Sequence, residues 1–142
     1  MSKKLSDANL TSPPEPLVFF VDRSLGRNVV AGALRAAGEQ IQVHDDHFPQ
    51  NTPDETWLKE VGQHDWIVLT KDTRIRYRAI ETNALCAAKV RAFVLTAKGD
   101  LSGTEMAEVF IKALPRIRRL CAKTKPPFIA KVSRDGNVML IQ

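Results

Sequence analysis

The stretch VLTKDTRIRYR, residues 68–78, carries one carboxylate, Asp72, among the cations Lys71, Arg74, Arg76 and Arg78. A second acid, Asp22, directly follows the apolar run LVFFV, and Asp54 and Glu55 open the segment DETWLKEVG. Carboxylates brought close repel one another, so one takes up a proton, a basic group intervenes, or a hard cation such as Mg²⁺ is held between them. A cation so held can activate water and neutralise a phosphate. Arginines beside the acids suit bidentate contacts to a phosphodiester. Acids at the centre with cations around them are the layout a metal-dependent nuclease requires.

Each of these residues also has a plainer reading. Asp22 is a favoured N-cap type. Thr52, Pro53 and Glu55 stand at the N-cap, N1 and N3 spacing of a capping box, which assigns Glu55 to the backbone and leaves Asp54 free. Asp72 with Arg74 and Arg76 could form a surface ion-pair cluster. The run HDDH, residues 44–47, reads as a solvated turn, because a three-residue spacing in a loop fixes no metal geometry. Tyr77 is the one aromatic beside the arginines that could stack on a base.

Alternating strands and helices must position these groups. LVFFV (17–21), IQV (41–43), WIVLT (66–70) and RAFVLT (91–96) are short apolar runs that suit strands buried on both faces. Between them lie helical patterns. The first places Leu25, Val29, Ala33, Leu34 and Ala37 on one face, with Gly38 as the stop. A helix over about 76–88 would turn Ile80, Ala84, Leu85 and Ala88 inward. The long pattern opened by Ser102 and Glu105 buries Met106, Val109, Phe110, Ala113, Leu114, Ile117 and Leu120, with a kink expected at Pro115. FIAKV and VMLI flank Asp135-Gly136, a hairpin signal. The expected fold is therefore α/β: one three-layer domain, with a mostly parallel sheet of order 2-1-3-4 between helical layers and a C-terminal hairpin. That order makes strands one and three neighbours. Asp22 and Asp72 then converge at the carboxyl edge, where sites form in such sheets.

The chain of 142 residues fits one domain, expected over 16–142 after a flexible tail at 1–15 rich in Ser, Pro and charge. Its net charge of +5 admits an anionic partner without proving one. Cys86 and Cys121 form no CxxC pair and are expected to be buried free thiols, which suits a reducing cytoplasm. No apolar run approaches a membrane span, no secretory leader is read at the N-terminus, and no Walker A, GxGxxG or GxSxG motif occurs.

FFVDRSLG, TPDETWLKEVG and WIVLTKDTRIRYR, in that order and spacing, resemble the PIN-like ribonucleases, nearest to the VapC-type toxins of bacterial toxin–antitoxin systems. The resemblance covers residues 17 to about 96. It implies a Rossmann-like PIN-type domain whose acidic pocket binds Mg²⁺ or Mn²⁺ and cleaves single-stranded RNA, leaving a 3′-hydroxyl and a 5′-phosphate. It assigns the metal-binding, catalytic acids to Asp22, Asp54 and Asp72, with Thr70 supporting the site through hydrogen bonds. Substrate contacts are expected from Lys71, Arg74, Arg76 and Arg23, so that the arginines serve the RNA and not Asp72. Fuller members carry a fourth acid beyond the next strand; the candidates here are Asp100, Asp45 and Asp46. Where some relatives have Glu after the first Asp, this chain has Arg23. The implied partners are RNA and a cognate antitoxin seated over the pocket, in a homodimer or a hetero-oligomer. Two alternatives stay open: a receiver-like Mg²⁺-binding signalling domain, and a catalytically inactive PIN-like module that binds RNA or protein.

Overall fold

The structure, a computed structural model, describes residues 17–26, 28–97 and 99–141; the tail expected over 1–15 lies outside them. Strands β1 (Val18–Val21), β2 (Gln40–Val43), β3 (Ile67–Thr70), β4 (Arg91–Leu95), β5 (Phe128–Val132) and β6 (Val138–Leu140) form one sheet of order β2-β1-β3-β4-β5-β6. The first five pair in parallel, and β6 returns antiparallel to β5. The expected 2-1-3-4 order and the hairpin are both present. Gly136, at φ +85°, supplies the left-handed step of the hairpin turn, its N–H donating to the Ser133 carbonyl over 2.9 Å.

Helices cover both faces of the sheet. α1 (Val29–Ala36) and α6 (Gly103–Lys123) pack on one side, and α3 (Asp54–Gln63) and α5 (Ala79–Ala88) on the other. The pleat divides the strand residues between the two cores. Phe19, Val21, Ile67, Leu69 and Phe93 face α1 and α6, while Phe20, Val68, Ala92 and Val94 face α3 and α5. Phe19, Phe20 and Phe93 are fully buried, worth about 1.5–3 kcal/mol each. α6 runs unbroken through Pro115, with Ser102 and Glu105 closing a capping box and the expected apolar face buried.

Several local expectations are corrected. α1 begins only at Val29, after a 3-10 turn at Arg23–Leu25, and its buried residues are Val30, Ala31 and Leu34. Val29 is exposed, because the turn resets the phase of the helix. The capping box at Thr52 and Glu55 does not form. Pro53 is the N-cap of α3, and the Thr52 hydroxyl donates to the Pro49 carbonyl at 2.8 Å instead. HDDH forms a helical turn, α2 (His44–His47), with His44 buried. The helix expected over 76–88 is two pieces, α4 (Arg74–Tyr77) and α5, broken at Arg78 with ψ 125°. That break turns Ile80 outward and Glu81 inward. Cys86 is exposed and Cys121 half-buried, and both are free.

Candidate functional site

β1 and β3 end side by side. Val21 pairs with Leu69, and the Asp22 N–H donates to the Leu69 carbonyl at 3.0 Å. Asp22 therefore stands beside Thr70, one step beyond the paired strands. The Thr70 hydroxyl donates to Asp22 Oδ2 at 2.8 Å, and the Ser24 hydroxyl donates to the same oxygen at 2.7 Å. Each hydroxyl has one proton, so with both given to Asp22 the 3.0 Å Ser24–Thr70 contact is a close approach without a proton to share. The two hydroxyls accept in turn from the backbone: Lys71 N–H donates to Ser24 at 3.1 Å, and Asp72 N–H to Thr70 at 3.0 Å. Asp22 also caps the 3-10 turn weakly, taking the Ser24 N–H at 3.4 Å. Every one of these donors meets Oδ2, and among the described residues none meets Oδ1; Asp22 lines a cavity.

This cavity, of about 500 Å³, is walled by Asp22, Asp54, Asp72 and Glu81, with Glu55 at its rim and Arg23 and Arg74 as its cations. Asp54 is the first residue of α3, where a carboxylate suits the positive end of the helix dipole. Its Oδ1 accepts from Trp57 Nε1 at 2.9 Å. Burial raises the Asp54 carboxyl above its ordinary pKa, against the pull of the Trp57 hydrogen bond, and Asp22 adds repulsion. Phe20 stacks on Trp57 at 5.4 Å between ring centroids, so the pocket floor is an aromatic layer. His44 belongs to this layer, 5.8 Å from Trp57; burial holds its imidazole below the ordinary pKa, although Asp22 and Asp45 favour the charged form.

Asp72 differs from the expectation. Arg74 Nε reaches both of its oxygens at 2.9 Å, Arg74 Nη2 bonds Oδ2, and the Arg74 backbone N–H donates to Oδ1 at 3.0 Å. This pairing holds the Asp72 carboxyl below its ordinary pKa and raises that of Arg74. Arg74 therefore belongs to Asp72 in this conformation, which corrects the assignment of that arginine to substrate alone. Arg23 likewise reaches Asp45 Oδ1 at 3.1 Å. Lys71 and Arg76 turn away from the acids. With Thr73 and Tyr77 they line a second cavity of about 260 Å³, closed opposite by Leu95, Thr96 and Leu101. The guanidinium carbon of Arg76 sits 4.8 Å from the Tyr77 ring centroid, a cation–π arrangement. Successive residues of one segment thus face two cavities, one acidic and one basic.

Of the fourth-acid candidates, Asp46 and Asp100 are exposed, Asp45 holds Arg23, and none lines the acidic cavity. Glu81, Ser24, Trp57, Gln50 and Asn51 line the cavity without having been singled out in the sequence, and His44, read there as part of a solvated turn, lines it too. Ser24 carried a signal, since Asp-x-Ser favours a side-chain-closed turn.

Among the described residues, no three His, Cys, Asp or Glu side chains stand together as a ready metal cage. The donor chemistry nevertheless fits a hard divalent cation. Asp22 offers a free oxygen, Asp54 has one oxygen outside its Trp57 bond, and the Glu81 Oε2 atom is buried with no hydrogen-bond partner. At Asp72 the neutralising charge is the Arg74 guanidinium.

A parallel sheet with two acids at adjoining strand ends, a third opening the helix across from them and a hydroxyl network behind defines the class. The family described as "PIN like domain" matches residues 17–97, and the chain belongs to it. The chain is also 32% identical, over 118 residues, to the protein named "Putative ribonuclease VapC45" of Mycobacterium tuberculosis; the match covers 80% of this chain and 84% of that relative. No solved structure matches. No helix among the described residues is long and apolar enough to cross a membrane.

Proposed function

We propose that the protein is a Mg²⁺- or Mn²⁺-dependent endoribonuclease, the toxin partner of a toxin–antitoxin pair, acting in the cytoplasm. The observation that carries this reading is the convergence of Asp22, Asp54 and Asp72 on one cavity, with the Ser24 and Thr70 hydroxyls fixing Asp22. Family membership and the ribonuclease name of the mycobacterial relative support it.

Asp22, Asp54 and Asp72 would hold the ion, which would supply charge neutralisation at phosphorus and a more acidic water. Thr70 and Ser24 orient Asp22, because two hydroxyls donating to one oxygen fix the plane of its carboxylate in the cavity. Arg74 has two roles in sequence. It holds Asp72 in the free protein, and its planar fork, when not engaged there, would pair with the scissile phosphate. Lys71 and Arg76 then carry the strand into the second cavity, with Tyr77 as the base platform. Arg23 lines the other wall of the acidic cavity and is placed to meet the backbone of the strand. The mouth carrying these groups is the surface that an antitoxin would cover.

A panel of structured and unstructured RNAs, incubated with Mg²⁺, with Mn²⁺ and with chelator, tests the reading. Cleavage of unstructured RNA only when metal is present is expected. Metal-independent cleavage, or none under any condition, would contradict it.

A further inference from the structure

Glu81 is the third residue of α5, and its side chain is 7% exposed. Its Oε2 atom is buried and accepts no hydrogen bond. The nearest cation, Arg78, lies 3.8 Å from the other oxygen, on a side chain 60% exposed. That ion pair is long and solvent-screened. It leaves Oε2 without compensation, and an uncompensated carboxylate oxygen away from water is costly.

A helix-dipole role does not explain this burial. An acid in the first turn already gains from the helix end at an exposed position, so the dipole does not require the carboxylate to be buried. The neighbouring Ile80, which is 59% exposed, would fill the inward position at no such cost. The break at Arg78 sets the phase of α5 so that the carboxylate points inward, toward the cavity that holds Asp22, Asp54 and Asp72.

We propose that Glu81 is the fourth acid of this cavity, completing an all-oxygen site for a divalent cation of the Mg²⁺ or Mn²⁺ class. The acid comes from α5, between β3 and β4, and not from beyond β4. A bound cation supplies the partner that Oε2 lacks and offsets the cost of its burial. Asp100 is exposed and off the cavity, and so has no part in the site.

This proposal rests on the metal-dependent reading of the cavity, and the test separates the two. Mn²⁺ binding to the full chain is measured by titration calorimetry and by electron paramagnetic resonance of free Mn²⁺. The chains compared are the parent, Glu81→Gln, Glu81→Asp and Asp100→Asn. The parent and Asp100→Asn are expected to bind alike, Glu81→Gln roughly tenfold or more weakly, and Glu81→Asp in between. Without metal, Glu81→Gln is expected to melt no lower than the parent, with a smaller rise on adding Mn²⁺. Parent-like Mn²⁺ affinity in Glu81→Gln overturns the proposal and leaves the nuclease reading standing. A parent chain that binds no Mn²⁺ overturns both.

Discussion

Asp22 Oδ2 accepts hydrogen bonds from two hydroxyls, and among the described residues Oδ1 accepts none, so the carboxylate is held on one side. Thr70 makes this possible, donating to Asp22 and accepting from the Asp72 backbone. Thr70→Val removes both contacts at a buried position. RNA cleavage is expected to fall about 10–100-fold and stability by about 1–3 kcal/mol, measured by initial rates and denaturant melts. Arg74 poses the opposite case, as a cation already seated on Asp72. Arg74→Ala is expected to tighten Mn²⁺ binding in calorimetry and to slow RNA cleavage at saturating Mn²⁺. Weaker Mn²⁺ binding would contradict the view that Arg74 and the ion compete. His44 sets a pH dependence. Burial holds its pKa below the ordinary 6.5, so the unfolded chain takes up a proton there before the folded one does. Its contribution to stability is complete above 6.5 and is lost as pH falls from 6.5 toward the folded value. The melting temperature of the parent should therefore drop more steeply than that of His44→Gln as pH falls through that window.

The acids are carried by elements whose packing fixes their spacing. α3 brings Asp54 and α5 brings Glu81, and the two helices meet closely at Gly62. A Cβ there would lie 2.3 Å from the Ala88 carbonyl oxygen. Gly62→Ala must push α5 from α3. It is expected to cost roughly 1–3 kcal/mol in denaturant unfolding and to weaken Mn²⁺ binding in the same preparation. At this scale the limits of sequence reading are visible. The buried strands were legible because each is a short, wholly apolar run, and their order placed Asp22 and Asp72 at adjoining ends. The inward turn of Glu81 was not legible. Its helix starts afresh after Arg78, and a phase carried through from residue 76 puts Ile80 inside. The false capping box at Thr52 has a similar origin. The spacing is right, but the Thr52 hydroxyl is taken by the turn carbonyl of Pro49. The Arg74–Asp72 pair was also hidden, because spacing places an arginine near an acid without giving its direction.

The whole chain carries a net charge of +5, yet the cavity at the ends of β1 and β3 is walled by carboxylates. Arg23 and Arg74 line the acidic cavity, and Lys71 and Arg76 line the cavity beside it, so cations are available to a polyanion at both. RNA affinity should therefore fall log-linearly with salt, by about 0.7 in slope for each phosphate contacted. Replacing Lys71 and Arg76 together with Ala should make the slope shallower by about 1.4, as read by filter binding across a salt series; an unchanged slope would remove the second cavity from the RNA path. The central claim is narrower, that charge at Asp22 is required to hydrolyse RNA. Asp22→Asn tests it most directly, because Asn keeps an oxygen to accept from Ser24 and Thr70 while losing the charge. The measurement is the cleavage of an end-labelled single-stranded RNA in Mn²⁺ by the parent and by Asp22→Asn. The parent is expected to give 5′-phosphate products, and Asp22→Asn, folded by melting, none. Cleavage by Asp22→Asn at the parent's rate would contradict it.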